Sequence, residues 1–128
     1  MIEAVLAGFY TQLATYHVTN KAYNIIAPQN STVPYVTFGI ETDTPMGEFG
    51  NLEAMEDLTF WVNCFNTSQQ GARTIADLVL GVMDDATLTV NGYSHMVCKR
   101  EFISGIMYDI ETKIFQISLR YRVMLSKD

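Results

Sequence analysis

Basic residues are scarce in this chain. Eight Lys and Arg stand against fourteen Asp and Glu, a net charge of −6 over 128 residues. That balance argues against a protein that grips nucleic acid by its phosphates. Cysteine is scarcer still. Cys64 and Cys98 are the only two, without metal-type spacing and too few for a disulfide framework, so both read as buried free thiols in strands. No apolar run approaches the length of a membrane span, and no membrane partner is expected. The opening "MIEAVLAGFYTQL" holds Glu3 and no Lys or Arg, unlike a secretory signal, so the expectation is a cytoplasmic protein.

Motifs of chemistry are missing too. The sequence has no glycine-rich phosphate loop of either nucleotide type and no serine in a nucleophile elbow. His17 and His95 stand far apart, without partners at metal spacing. His95 and Cys98 are three residues apart, which on a regular strand sends the side chains to opposite faces. The acids of residues 41–57 lack the order of a calcium loop. Trp61 and Phe65 have no basic neighbours to make a base-stacking platform. The expectation is therefore a binding or assembly module, not an enzyme, with no cofactor and no metal.

What is present is a folded-domain pattern. Apolar residues make up 48% and charged residues 17%, which suits one globular domain over residues 1–128. Ile2, Val5, Leu6, Phe9, Leu13 and Tyr16 recur at helical spacing, with Gly8 a mild weakness. Residues 17–33 are polar and irregular, with room for a short strand at Ala22 to Ile26. A strand follows from Tyr35 to Thr42, entered through Pro34, whose missing N–H costs nothing ahead of a ladder. Pro45, Gly47 and Gly50 mark residues 43–54 as a flexible loop. Met55 to Asn66 alternates Leu58, Phe60, Val62 and Cys64 against Thr59, Trp61, Asn63 and Phe65. Thr67 with Gln70 makes a capping box, or Ser68 caps instead, ahead of a helix carrying Ala72, Ile75, Ala76, Val79, Val82 and Met83. Asp84 and Asp85 end that helix against the usual charge preference. Asn91-Gly92 signals a hairpin leading into a strand from Tyr93 to Ile103. Lys113 to Leu125 alternates most cleanly, with Phe115, Ile117, Leu119, Tyr121, Val123 and Leu125 on one face. The fold class predicted is α+β: a twisted antiparallel β-sheet with two α-helices packed on one face.

Charge is segregated along the chain. Glu41, Asp43, Glu48, Glu53, Glu56 and Asp57 fall together without a base, while Lys99, Arg100, Lys113, Arg120, Arg122 and Lys127 lie near the C-terminus. The plain reading is solvated surface; the sharper one sets the acidic segment of one copy against the basic segment of another.

Three stretches carry a family resemblance: "APQNSTVPYVTF", "FWVNCFNTSQQGARTIADLVLGVMDD" and "YDIETKIFQISLRYRVML". In that order and spacing, from Ile2 to Leu125, the chain resembles the tail-terminator (tail-completion, or tail-to-head joining) proteins of long-tailed bacteriophages, prophages and gene transfer agents. The resemblance implies a ring, typically of six copies, on the head-proximal end of the tail tube. Such a ring stops tube growth and docks the head connector. The partners implied are other copies of the chain, the major tail-tube protein and a head-completion or stopper protein, with genome DNA passing through the lumen without specific binding. The implied location is the virion tail, after assembly in the host cytoplasm. The alternatives are another neck ring, a head-tail adaptor or stopper, and a small α+β binding domain unrelated to phage. For a ring contact, Glu41, Asp43, Glu48 and Glu53 are expected to meet Lys99, Arg100, Arg120 and Arg122 of a neighbour, with Phe49 and Trp61 at its apolar centre.

Overall fold

The computed structural model describes residues 2–16, 21–26, 34–48 and 51–127, with backbone alone for residues 2, 43–48, 51–55, 96 and 127. Its elements are α1 (Ile2–Leu13), a 3-10 turn (Ala14–Tyr16), β1 (Ala22–Asn24), β2 (Tyr35–Glu48), β3 (Asn51–Asn66), α2 (Gln69–Met83), β4 (Tyr93–Ile103), β5 (Met107–Asp109) and β6 (Ile114–Lys127). The six strands form one sheet in the order β1-β2-β3-β6-β4, with β5 on β6 beyond the end of β4. Pairing is antiparallel except between β1 and β2. Those two run parallel, with Ala22 opposite Val36 and Asn24 opposite Phe38.

Alternation decides which face is core. Leu58, Phe60, Val62 and Cys64 on β3 are fully buried, and so are Tyr121, Val123 and Leu125 on β6. The β3–β6 register sets Phe60 opposite Tyr121 and Val62 opposite Leu119, so the apolar sets of both strands share one face. A one-residue slip would expose both sets at once. Two helices cover that face. α2 contributes Ala72, Ile75, Ala76, Val79 and Met83, and α1 contributes Val5, Phe9 and Leu13. The Phe9 ring stacks on Phe60, centroids 4.0 Å apart and planes 4° from parallel. The Gln12 side-chain amide donates to the Val82 carbonyl at 2.6 Å, tying the two helices together.

Four local expectations change. Gly8 is required for close packing: a Cβ there would lie 2.5 Å from the Thr89 carbonyl oxygen, so its absence lets the segment carrying buried Leu88 and Val90 lie against α1. Ser68, not Thr67, caps α2, accepting from the Gly71 N–H at 2.9 Å; the Thr67–Gln70 box does not form. The Asn91-Gly92 turn closes a single bridge, Val90 to Tyr93, because β4 finds its ladder on β6.

The fourth change is the largest. Residues 43–48 and 51–54 are strand, not loop: β2 and β3 continue their antiparallel pairing as far as Glu48 with Asn51. Pro45 is tolerated opposite Glu56 because β1 reaches only Phe38, leaving that stretch of β2 at the sheet edge. Register shifts at Glu41 and Gly47 bend the hairpin. Pro34 stands directly before β2 as expected, and Val36 donates to the Lys21 carbonyl at 2.9 Å at the sheet entrance. Pro28, Val33, His17 and Phe49 lie outside the described residues.

Candidate functional site

The helices leave the other face of the sheet open. One continuous cross-strand row runs over it: Gly39 on β2, Trp61 on β3, Arg120 on β6 and Phe102 on β4. The indole lies on Gly39, where a Cβ would come within 2.7 Å of the ring. Arg120 reaches over this row. Its guanidinium stands 5.0 Å from the Phe102 ring centroid; a terminal nitrogen donates to one oxygen of Glu41 at 2.8 Å, and Nε lies 2.8 Å from the other in an ion pair. Glu41 is the extra residue of the first β2 bulge, and that irregularity accompanies its pairing with a strand two places away. In the next row Arg122 donates to Asp57 through Nε and a terminal nitrogen, at 2.9 and 2.6 Å. These hydrogen bonds hold the Asp57 carboxyl below its usual range. Closer to the far end of the sheet, the Ser118 hydroxyl donates to Asn63 at 2.6 Å. There an open cleft of about 280 Å³ lies among Tyr35, Phe65, Met107, Tyr108, Ile114 and Gln116.

The acidic and basic segments therefore meet first within one chain. Solvent-screened pairs of this kind add little to stability, so their main effect is to set the shape and charge of the open face. Arg100 does not join them: it lies opposite Tyr121 on the helix side and sits 3.6 Å from Asp84. Lys99 has no ion-pair partner among the described residues. Trp61 is half-buried on the open face. The backbones of Asp43, Glu48 and Glu53 lie on the β2–β3 hairpin, while Phe49 is outside the described residues.

The register also overturns the separation expected of His95 and Cys98. A bulge at Met96 sets His95 opposite Leu125 and Cys98 opposite Val123, so both side chains face the helix side. Each holds a backbone partner of its own. The Cys98 thiol donates to the Met83 carbonyl at 3.4 Å, and burial first, with Asp84 and Asp85 beside it, pushes its pKa up to about 12. His95 Nδ1 accepts from the Leu88 N–H at 3.2 Å, and partial burial lowers its pKa. Among the described residues no three His, Cys, Asp or Glu side chains gather as a metal site.

One of the two acids at the end of α2 now has a physical role. Asp84 caps the helix, and its carboxylate accepts from the fully buried Tyr121 hydroxyl at 2.8 Å while lying near Arg100. Helix α2 is thereby fastened to the middle of β6. Tyr121→Phe keeps the ring and removes this bond to a charged acceptor, for an expected loss of about 1.5–3 kcal/mol in urea denaturation. A loss below about 0.5 kcal/mol would show that the bond does not hold the helix.

Sequence reasoning missed the apolar side chains at the two edges of the sheet. Ile25 and Ile26 protrude beside β1, and Phe102, Ile103, Met107, Tyr108 and Ile110 are exposed along β4, β5 and the turn after them. The available signal was an apolar excess, "NII" and "GIMYDI", that neither helix nor strand periodicity absorbs.

A family model described as tail completion protein gp17 matches residues 4–126. No curated protein matches the chain. Among solved structures, a chain of the virion of a native gene transfer agent particle is similar with a TM-score of 0.79 and 17% identity, covering 97% of this chain and 96% of that one. A second solved chain is similar at a TM-score of 0.65 and 12% identity, covering 94% of each. At these identities the likeness of structure is one of fold.

Proposed function

The chain belongs to the tail completion protein gp17 family, and from that membership we propose that it forms a ring on the head-proximal end of a phage-type tail tube. The ring ends tube polymerisation and presents the surface to which the head connector docks. The observation carrying this reading is the family match over nearly the whole chain. The likeness of fold to a component of a gene transfer agent virion supports it. On this reading the protein is a virion component assembled in the host cytoplasm. Its partners are further copies of itself, the tail-tube protein and a head-completion or stopper protein.

A ring needs a heterologous contact, in which one patch meets a different patch on the next copy. Charge suits such a contact. Asp43, Glu48 and Glu53 belong to the hairpin on the β2 side of the sheet, while Lys99 and Arg100 belong to β4 at the opposite edge. Glu41, Arg120 and Arg122, already paired within the subunit, shape the open face beside Trp61. The net charge of −6 suits a lumen through which DNA slides without sticking.

Depletion of the protein during particle assembly is expected to leave overlong tails that fail to join heads, visible by negative-stain electron microscopy. Tails of normal length that join heads would overturn the proposal. Labelled protein found on the head side of the joint would instead assign it to an adaptor or stopper ring.

A further inference from the structure

Residues 84–92 carry the chain from α2 to β4 and belong to no ladder beyond the Val90–Tyr93 bridge. They are nevertheless packed. Ala86, Leu88 and Val90 are buried, and the Thr89 carbonyl lies against Gly8 of α1. Backbone hydrogen bonds fix both ends, Ala86 N–H to the Met83 carbonyl at 3.2 Å and Tyr93 N–H to the Val90 carbonyl at 3.1 Å. The middle is held by a side chain. Leu88 N–H donates to Nδ1 of His95 at 3.2 Å, and Leu88 is only 3% exposed, so this buried donor depends on the ring.

An imidazole accepts a hydrogen bond only while neutral. With Nδ1 accepting, the ring proton sits on Nε2; the imidazolium carries a hydrogen on both nitrogens and offers no acceptor in either ring orientation. Acid therefore sets two donors against each other at this bond. Protons can reach the ring, because His95 is half-buried and borders an open cleft of about 410 Å³ with Asp85, Thr87, Val97 and Lys99. Asp85 and Lys99 are the charged groups of that cleft. Asp84 is engaged by Tyr121 and Arg100, the Cys98 thiol is held neutral, and Lys127 of β6 stands opposite Tyr93. Among the described residues no acid forms an ion pair with His95. Burial lowers its pKa from 6.5, so the stability lent by the neutral ring is present above that value and lost as pH falls below it. We propose that His95 is an acid-sensitive latch, which on protonation releases the Leu88 N–H and frees residues 86–90 from β4.

NMR on the full chain tests the latch independently of the ring reading. At about pH 7.5 the His95 ring should be the neutral tautomer with its proton on Nε2. Its pKa should lie below that of the same residue in the urea-unfolded chain. Between about pH 7.5 and about pH 5 the hydrogen-exchange protection factor of the Leu88 amide should fall at least about tenfold, the scale set by leaving one buried donor unmatched. Protection of the Val62 amide in β3 should stay unchanged. His95→Asn puts a carbonyl oxygen that does not titrate near the place of Nδ1, and should keep Leu88 protected at both pH values. A ring protonated on Nδ1 near pH 7.5 would overturn the proposal, as would Leu88 protection that is the same at both pH values in the wild-type chain. An equal fall at Val62 would mean global unfolding and would overturn it too, as would an equal fall at Leu88 in the asparagine variant. Should that variant not fold, the wild-type tautomer, pKa and protection factors decide by themselves.

Discussion

Raising the pH above about 9 is expected to unfold this protein steeply. Burial pushes the Cys64 thiol from 9.0 up to about 12, and burial with the neighbouring Asp84 and Asp85 does the same for Cys98. A folded-state value above the unfolded one means that the neutral form is favoured in the fold. The stability this represents is fully present below the unfolded value near 9 and drains away as pH rises towards 12. Each thiol then costs about 1.4 kcal/mol per pH unit. Tyr16 and Tyr121 are shifted in the same direction, each first by burial, and add to the loss above the usual tyrosine value of 10.0. Against a total stability of roughly 5–15 kcal/mol for a domain, pH 11 should remove a large share. Urea denaturation at pH 7, 9, 10 and 11 measures the slope. A Cys64→Ala, Cys98→Ala double variant should be nearly flat from 9 to 10 and fall only beyond that. A wild-type protein equally stable at pH 7 and pH 11 would refute the account.

Phe9→Ala should be the most damaging truncation on α1, lowering stability by about 3–5 kcal/mol. Phe9 is fully buried. It stacks on Phe60 and lies 5.7 Å from the Phe38 ring centroid, so this side chain bridges α1 to both β2 and β3. Truncation would leave a cavity beneath a helix of only 12 residues, too short to hold its conformation in water unaided. Tyr10 is the control: 41% exposed on the same helix, it should cost under about 1 kcal/mol when changed to alanine. Urea midpoints for both variants, with limited proteolysis after Leu13, report the result. Equal losses for the two would mean that α1 is not docked as described.

Both predictions rest on a core that periodicity alone made legible. The alternation in β3 and β6 named the buried face residue by residue, and Leu58, Phe60, Val62, Tyr121 and Val123 are all buried. Helix α2 was equally plain, because a polar cap and residues at spacings of three and four leave a chain few other ways to hide apolar surface. The family resemblance was legible for the same reason, since order and spacing of elements are properties of the sequence.

Pairing across distance was less legible. The segment around Pro45 reads as a loop, because proline and glycine disfavour strands locally; only the absence of β1 beyond Phe38 makes a proline there acceptable. The charge segregation was visible, but a sequence has no register. It could not say that β3 lies between β2 and β6 and so brings Glu41 to Arg120 and Asp57 to Arg122 inside one subunit. Bulges were hidden as well, and one at Met96 turns His95 and Cys98 to the same side. The sequence by itself thus determined both helices, the central part of the long strands, the buried face and the family, all of which follow from local period and composition. Tertiary structure alone decided which charges neutralise each other and which apolar side chains are left in water at the sheet edges, because both depend on strand order and register.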